Sequence, residues 1–254
     1  MQSSIYRRTT ALRAAAVLAL GLGLAMPGAG AADMPRRAVD LPPSADLGYT
    51  IKARQKGFNL GGDAVVSWRL AGGKYSVHST TRAALFGKLI DNHSEGDVDG
   101  FGLAPTQFGE KRIRHEPWTT TFDRSKKRIS FTESDVSYPL KGGEQDRSSV
   151  LFQLAGVARA APDSVVAGAQ WTFFVAGRRD ADPWTFRVIK AETVQTGIGS
   201  VEAIHLIRLP PPDSKEQTLD IWLAPSQQWY PVRLRFTDNE DEYIDQLLQT
   251  VTPK

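Results

Sequence analysis

The chain has 254 residues, 31 Lys and Arg against 28 Asp and Glu, and no cysteine. Without thiols there are no disulfides, no thiolate zinc site, no cysteine nucleophile and no lipid-modified cysteine anchor. Residues 1–32 hold three Arg and no acid, so the remainder carries 28 charges of each sign, and its formal neutrality is no argument for nucleic acid or for a global attraction to anionic membrane.

Residues 1–32 have the layout of a cleaved export signal. Arg7, Arg8 and Arg13 precede an apolar run from Ala14 to Met26, and Pro27-Gly28 breaks it. Ala29-Gly30-Ala31-Ala32 then offers small residues at both A-x-A positions. The run is about 13 residues long, short of the roughly 20 that span a bilayer. Thr9-Thr10-Ala11 after the arginine pair fits a general secretory signal better than a twin-arginine one. Cleavage is expected near Ala31 or Ala32, which places the mature protein in the periplasm. No later apolar run is long enough to span a membrane.

Residues 33–45, with Pro35, Arg36, Arg37 and Pro42-Pro43, read as a linker. From residue 46 to 254 the chain reads as a single β domain. Alternating apolar and polar residues predict strands at Tyr49–Arg54, Ala64–Leu70, Lys74–Ser79, Trp118–Phe122, Arg128–Thr132, Trp171–Val175 and Trp184–Ile189. Further strands are predicted at Val201–Leu209, Leu219–Leu223 and Tyr230–Phe236; the pattern of Tyr243–Val251 fits a strand or a helix, and the hairpin-like turn Asp238–Asp241 before it favours a strand. Their spacing, with turns such as Gly72-Gly73 and Asp238–Asp241, predicts an all-β fold. The expected architecture is a curved antiparallel meander, barrel or half-barrel, with one covering amphipathic helix. That helix is expected near Ser148–Ala161, where Val150, Leu151, Leu154, Val157, Ala158 and Ala161 form one apolar stripe. Asp146, Ser148 or Ser149 can cap it, and Pro162 stops it.

These landmarks resemble a family of uncharacterised proteobacterial periplasmic proteins, DUF3108. The likeness rests on Leu47-Gly48-Tyr49, Gly61-Gly62-Asp63-Ala64, Gly102-Leu103-Ala104-Pro105 and Asp146-Arg147-Ser148-Ser149. It continues through Ala176-Gly177-Arg178-Arg179-Asp180, Asp220-Ile221-Trp222-Leu223-Ala224 and Trp229-Tyr230-Pro231-Val232. It implies an all-β envelope protein and brings no activity or catalytic residues with it. The curved sheet also looks like half-barrel carriers of lipids and lipoproteins, a likeness of architecture alone.

Several residue groups could carry chemistry. In a strand, Asp91, His93, Glu95, Asp97 and Asp99 would share one face and could hold a divalent ion, but a solvated strand face is the plainer reading. The histidines His78, His93, His115 and His205 show no metal-ligand or protease spacing. His115-Glu116 lacks a nucleophile to serve. Glu133 with Asp135, or Asp180 with Asp182, could form the acid pair of a glycosidase. The segment Arg178–Trp184 reads as a hairpin turn with local ion pairs, able to meet a polar ligand. The six tryptophans sit on or beside strands, as core or as cavity lining.

The expectation is a non-enzymatic periplasmic binding or envelope-assembly protein carrying an apolar ligand between sheet and helix. Its ligand-binding residues are expected to be Arg179, Asp180, Trp184, Trp118 and Trp222. No cofactor and no metal are indicated. The expected ligand is lipid-like or a glycan; nucleic acid is not expected, and no protein partner is identified. The alternatives are a hydrolase of envelope polysaccharide and a structural partner of a membrane complex.

Overall fold

A computed structural model describes residues 34–84, 87–210, 217–239 and 241–254; the expected signal peptide lies outside them. The first half of the chain forms β1 (Ala45–Gln55), β2 (Phe58–Ala71), β3 (Lys74–Ala83), β4 (Gly87–Asp99) and β5 (Gly102–Arg112). The shorter β6 (Trp118–Asp123), β7 (Arg128–Phe131), β8 (Ser134–Pro139) and β9 (Gln145–Asp146) follow. After the helix α1 (Ser149–Ala160) come β10 (Gln170–Ala176), β11 (Ala181–Thr196) and β12 (Gly199–Leu209). The chain ends in β13 (Thr218–Leu223), β14 (Pro231–Asn239) and β15 (Glu242–Pro253).

All fifteen strands lie in one sheet, ordered β8 to β1, then β15 back to β9. The chain starts mid-sheet, meanders to one edge, crosses through α1 to the other edge, and returns to end beside its own start. Every pairing is antiparallel except β9 with β10. Register shifts at Gly48/Tyr49, Glu95/Gly96, Val188/Lys190 and Trp222/Leu223 mark bulges, which bend and twist the sheet. The fold is therefore the expected all-β curved meander.

The alternation signal misses β4, β5, β8 and the two-residue β9. Gly102, Leu103, Ala104 and Pro105 are all buried, so β5 begins with no polar face to alternate against. β8 is polar and ends in Pro139, as an edge strand can.

The helix lies within the curve of the sheet. Leu154, Ala155 and Val157 pack with Phe173, Phe186, Leu206 and Ile221. On another side, Phe152 stacks on Trp68 with ring centroids 4.4 Å apart. The predicted stripe is thus only part of the buried surface, since Gln153 and Gly156 are covered too. Residues 34–44, read above as a linker, form no strand or helix but are docked: Asp40 N donates to Gly156 O at 3.0 Å, and Trp68 Nε1 donates to Pro42 O at 2.9 Å.

The sheet's two edge strands, β8 and β9, do not pair. Side chains bridge the gap instead. Phe174, Ala176 and Ala181 pack among Phe108, Trp118, Phe122 and Ile129. Tyr138 meets Phe174 edge-on at 5.5 Å, and Thr120 Oγ1 donates to Gly177 O at 2.7 Å. The result is a half-barrel whose open side is sealed by packing.

Candidate functional site

Period-2 alternation places residues that are directly opposite in register on one face of the sheet. On one wall the row Asn92, Glu110, Trp118 crosses β4, β5 and β6. On the facing wall the row Arg208, Leu219, Phe236, Ile244 crosses β12 to β15. Both rows border a cavity of about 520 Å³ at the end of the sheet interior where α1 begins. Ser148 and Leu151 of the helix start also line it, together with Arg112, Arg147, Arg178, Asp180, Asp182 and Trp184. The space between the sheet and the body of the helix is packed, so the cavity is displaced from the expected position toward the helix start.

The lining is amphipathic. Trp118, Leu151, Leu219, Phe236 and Ile244 supply apolar wall. Against them stand four arginines, and three have carboxylate partners. Arg112 pairs with Glu110, which also accepts from Trp118 Nε1 at 3.4 Å. Arg178 pairs with Glu133, and Arg208 lies 3.4 Å from Asp182. The hydrogen bond from Arg178, joined by one from Arg179, holds the Glu133 carboxyl below its ordinary pKa.

Arg147 is the exception. It forms no ion pair among the described residues. Its guanidinium lies over the Trp184 ring, 5.9 Å from the centroid, and the buried Arg208 lies over the same ring at 4.1 Å. A Cβ at Gly177 would come within 2.6 Å of Arg147 Nη2, so the absence of a side chain there makes room for this cation.

The structure brings together Trp118, Asp180 and Trp184 of the residues named from sequence. Arg179 points away from the cavity, with its side chain 65% exposed and its Nε 3.0 Å from Glu133. The ion pairs of this turn are therefore long-range, to a residue 46 positions away, and not local. Trp222 lies on the opposite face, because Ile221 and Leu223 take the helix-facing positions. There it stacks on His205 at 4.4 Å and borders a separate hollow of about 590 Å³ with Glu192, Arg233 and Asp245. His205 Nε2 lies 2.7 Å from Asp220 Oδ1, and Trp222 Nε1 donates to Glu192 at 2.7 Å.

Sequence reasoning missed Arg147, Arg208 and Glu110. The signal for Arg208 was a charge at the phase of apolar strand neighbours, since Leu206 and Arg208 face the same way. The acids of β4 are spread out: Asp91 meets His78 and Lys88, Asp97 meets Lys74 at 2.7 Å, and the bulge at Glu95/Gly96 interrupts the common face. Among the described residues, no group of three His, Asp or Glu side chains is placed to hold a metal ion. No helix among them is long and apolar enough to cross a membrane.

The crystal structure of a β-barrel-like protein of a domain of unknown function, DUF1849, from Brucella abortus is similar. Its TM-score is 0.55 at 13% identity, covering 85% of this chain and 100% of that one, which supports a shared fold and nothing more. A proposed lipoprotein from Parabacteroides distasonis scores 0.37 at 12% identity, with 86% and 100% coverage. No curated protein matches the chain. Residues 48–242 match the family described as "Protein of unknown function (DUF3108)", and the chain belongs to that family.

Proposed function

We propose that this is an exported binding protein of the cell envelope that holds an amphiphile in the cavity and does no chemistry on it. The apolar part of the ligand lies against Trp118, Leu151, Leu219 and Phe236, and an acidic head group meets Arg147. The carrying observation is the one cavity arginine without an ion pair among the described residues, Arg147, held over the Trp184 ring in a half-apolar cavity whose other three arginines have carboxylate partners; Asp180 is the one lining acid without an arginine. A volume of about 520 Å³ is in the range of small-molecule sites. An unpaired guanidinium beside an indole recognises a carboxylate or phosphate through paired N–H donors. The cavity acids suit this role better than a glycosidase's, since Glu110 and Asp182 are already engaged by arginines, which leaves Asp180 without a second free carboxylate to pair with.

Titration with a fluorescent fatty acid tests the reading. Saturable binding that quenches tryptophan emission and survives EDTA is expected. Leu151→Arg, which fills the cavity, should abolish it. Arg147→Ala should weaken the acid but not the matching fatty alcohol. Absence of saturable binding, or an Arg147→Ala variant that binds the acid as tightly as the parent, would overturn the proposal. Turnover of an envelope glycan would establish the hydrolase instead.

A further inference from the structure

The strand directions gather one set of turns at the cavity's mouth. β1, β3 and β5 all run toward it, and the turns after β1 and β5 lie on one arc of rim with the end of β3 between them. Gly61 O accepts from Ala84 N, and Leu89 O accepts from Ile113 N, so the ends of β2 to β5 lie side by side. Leu60 and Ile113 are three strand spacings apart, about 14 Å.

This arc exposes Phe58 by 71%, Ile113 by 48% and Leu60 by 44%. Single exposed apolar residues are ordinary on protein surfaces, but these three share one rim. Phe58 is also presented rigidly. Lys56 and Gly57 form a two-residue turn with φ of 50° and 79°, Gln55 pairs with Phe58, and Lys56 N donates to Glu242 Oε1 at 2.9 Å.

Cations are interleaved with the apolar groups. Arg54 is neutralised by Asp241 at 3.4 Å, Arg82 by Asp63 at 3.8 Å, Lys88 by Asp91 and Arg112 by Glu110. Lys56, Lys111 and Arg114 form no ion pair among the described residues, and the acids beside them are Glu116 and Glu242, whose Oε1 accepts from the Lys56 backbone N–H. Two such arcs placed face to face would oppose cation to cation, which argues against a second copy as the occupant.

We infer that this arc docks the protein on an anionic lipid surface. Phe58, Leu60 and Ile113 enter the head-group layer, while Lys56, Lys111 and Arg114 meet lipid phosphates. The mouth of the cavity then faces the membrane. The formal neutrality of residues 33–254 makes this a contact attraction of short range, weakened by salt.

Vesicle co-sedimentation tests it with the chain from Met34 to Lys254, which contains every described strand and the helix, once circular dichroism shows it folded. Binding is expected to vesicles of equal parts phosphatidylglycerol and phosphatidylcholine, and not to phosphatidylcholine alone. Phe58→Ser with Ile113→Ser, or Lys111→Glu with Arg114→Glu, should weaken it at least about tenfold. Leu151→Arg, which blocks the cavity, should leave it unchanged and so separates docking from ligand binding. Failure to bind anionic vesicles, or rim variants that bind like the parent, would overturn the inference. So would a dimer in sedimentation velocity that Phe58→Ser abolishes, which would assign the arc to a second copy.

Discussion

Asp146 Oδ2 accepts a hydrogen bond from Ser94 Oγ at 2.6 Å, with both side chains fully buried. The other oxygen, Oδ1, accepts from the backbone N–H groups of Ser148 and Ser149 at 2.8 and 2.9 Å. Tyr75 Oη lies 3.1 Å from the same Ser94 hydroxyl. One carboxyl therefore caps the helix start and ties it to β3 and β4. Ser148 occupies the N-cap position but makes no side-chain cap bond. The cap is supplied from two residues earlier.

Burial raises the Asp146 pKa from 3.8 to about 6, despite the hydrogen bonds that oppose the shift. A carboxyl whose folded pKa exceeds its unfolded value binds the proton more tightly when folded. The native state therefore loses stability as pH rises from about 4 to about 6, and the loss is complete above that. Asp146→Asn keeps an acceptor for the helix cap and cannot ionise. Between pH 4 and 7 the parent should lose roughly 2 kcal/mol relative to this variant, by urea denaturation. Parallel stability profiles would refute the assignment.

Leu154 is fully buried between helix and sheet. Leu154→Ala should cost about 2–5 kcal/mol through lost burial and the cavity left behind. A loss below about 0.5 kcal/mol in the same denaturation assay would mean the helix is not packed as described.

Two adjacent glycines should behave oppositely. A Cβ at Gly62 would meet Arg82 O at 2.2 Å, a backbone atom that cannot move aside, whereas a Cβ at Gly61 meets nothing within 4 Å. Gly62→Ala should therefore destabilise by about 1–3 kcal/mol, and Gly61→Ala should be near neutral. Equal thermal midpoints for the two variants would contradict this close approach of β2 to β3.

The seam between the sheet edges rests on side chains, so it should be sensitive to a single large one. Phe174 is fully buried there among Tyr138, Phe122 and Ile129. Phe174→Ala should cost about 3–5 kcal/mol. A guanidinium melt showing less than about 1 kcal/mol would mean that the half-barrel holds together without this contact.

Local pattern was enough to read the class of fold. Period 2 reveals strands such as β1 and β12 because each has one covered and one more solvated face. The stripe through Val150, Leu154 and Val157 reveals the helix for the corresponding reason at period 3.6. Leu154 could be named as core from that stripe alone. β5 was illegible because both faces of its first residues are covered, which removes the alternation that would have announced it. The cavity was illegible for a different reason. Alternation says which residues of a strand share a face, but not which strands face one another across the interior. Trp118 and Trp222 look alike in sequence, yet the register turns one into the cavity and the other onto the sheet face where it stacks on His205. Arg147 meets Trp184 across 37 positions of chain because the crossing through α1 carries the helix start back to the mouth of the half-barrel. Contacts of that kind depend on how the sheet curves, and curvature is the summed effect of twist and bulges along many strands.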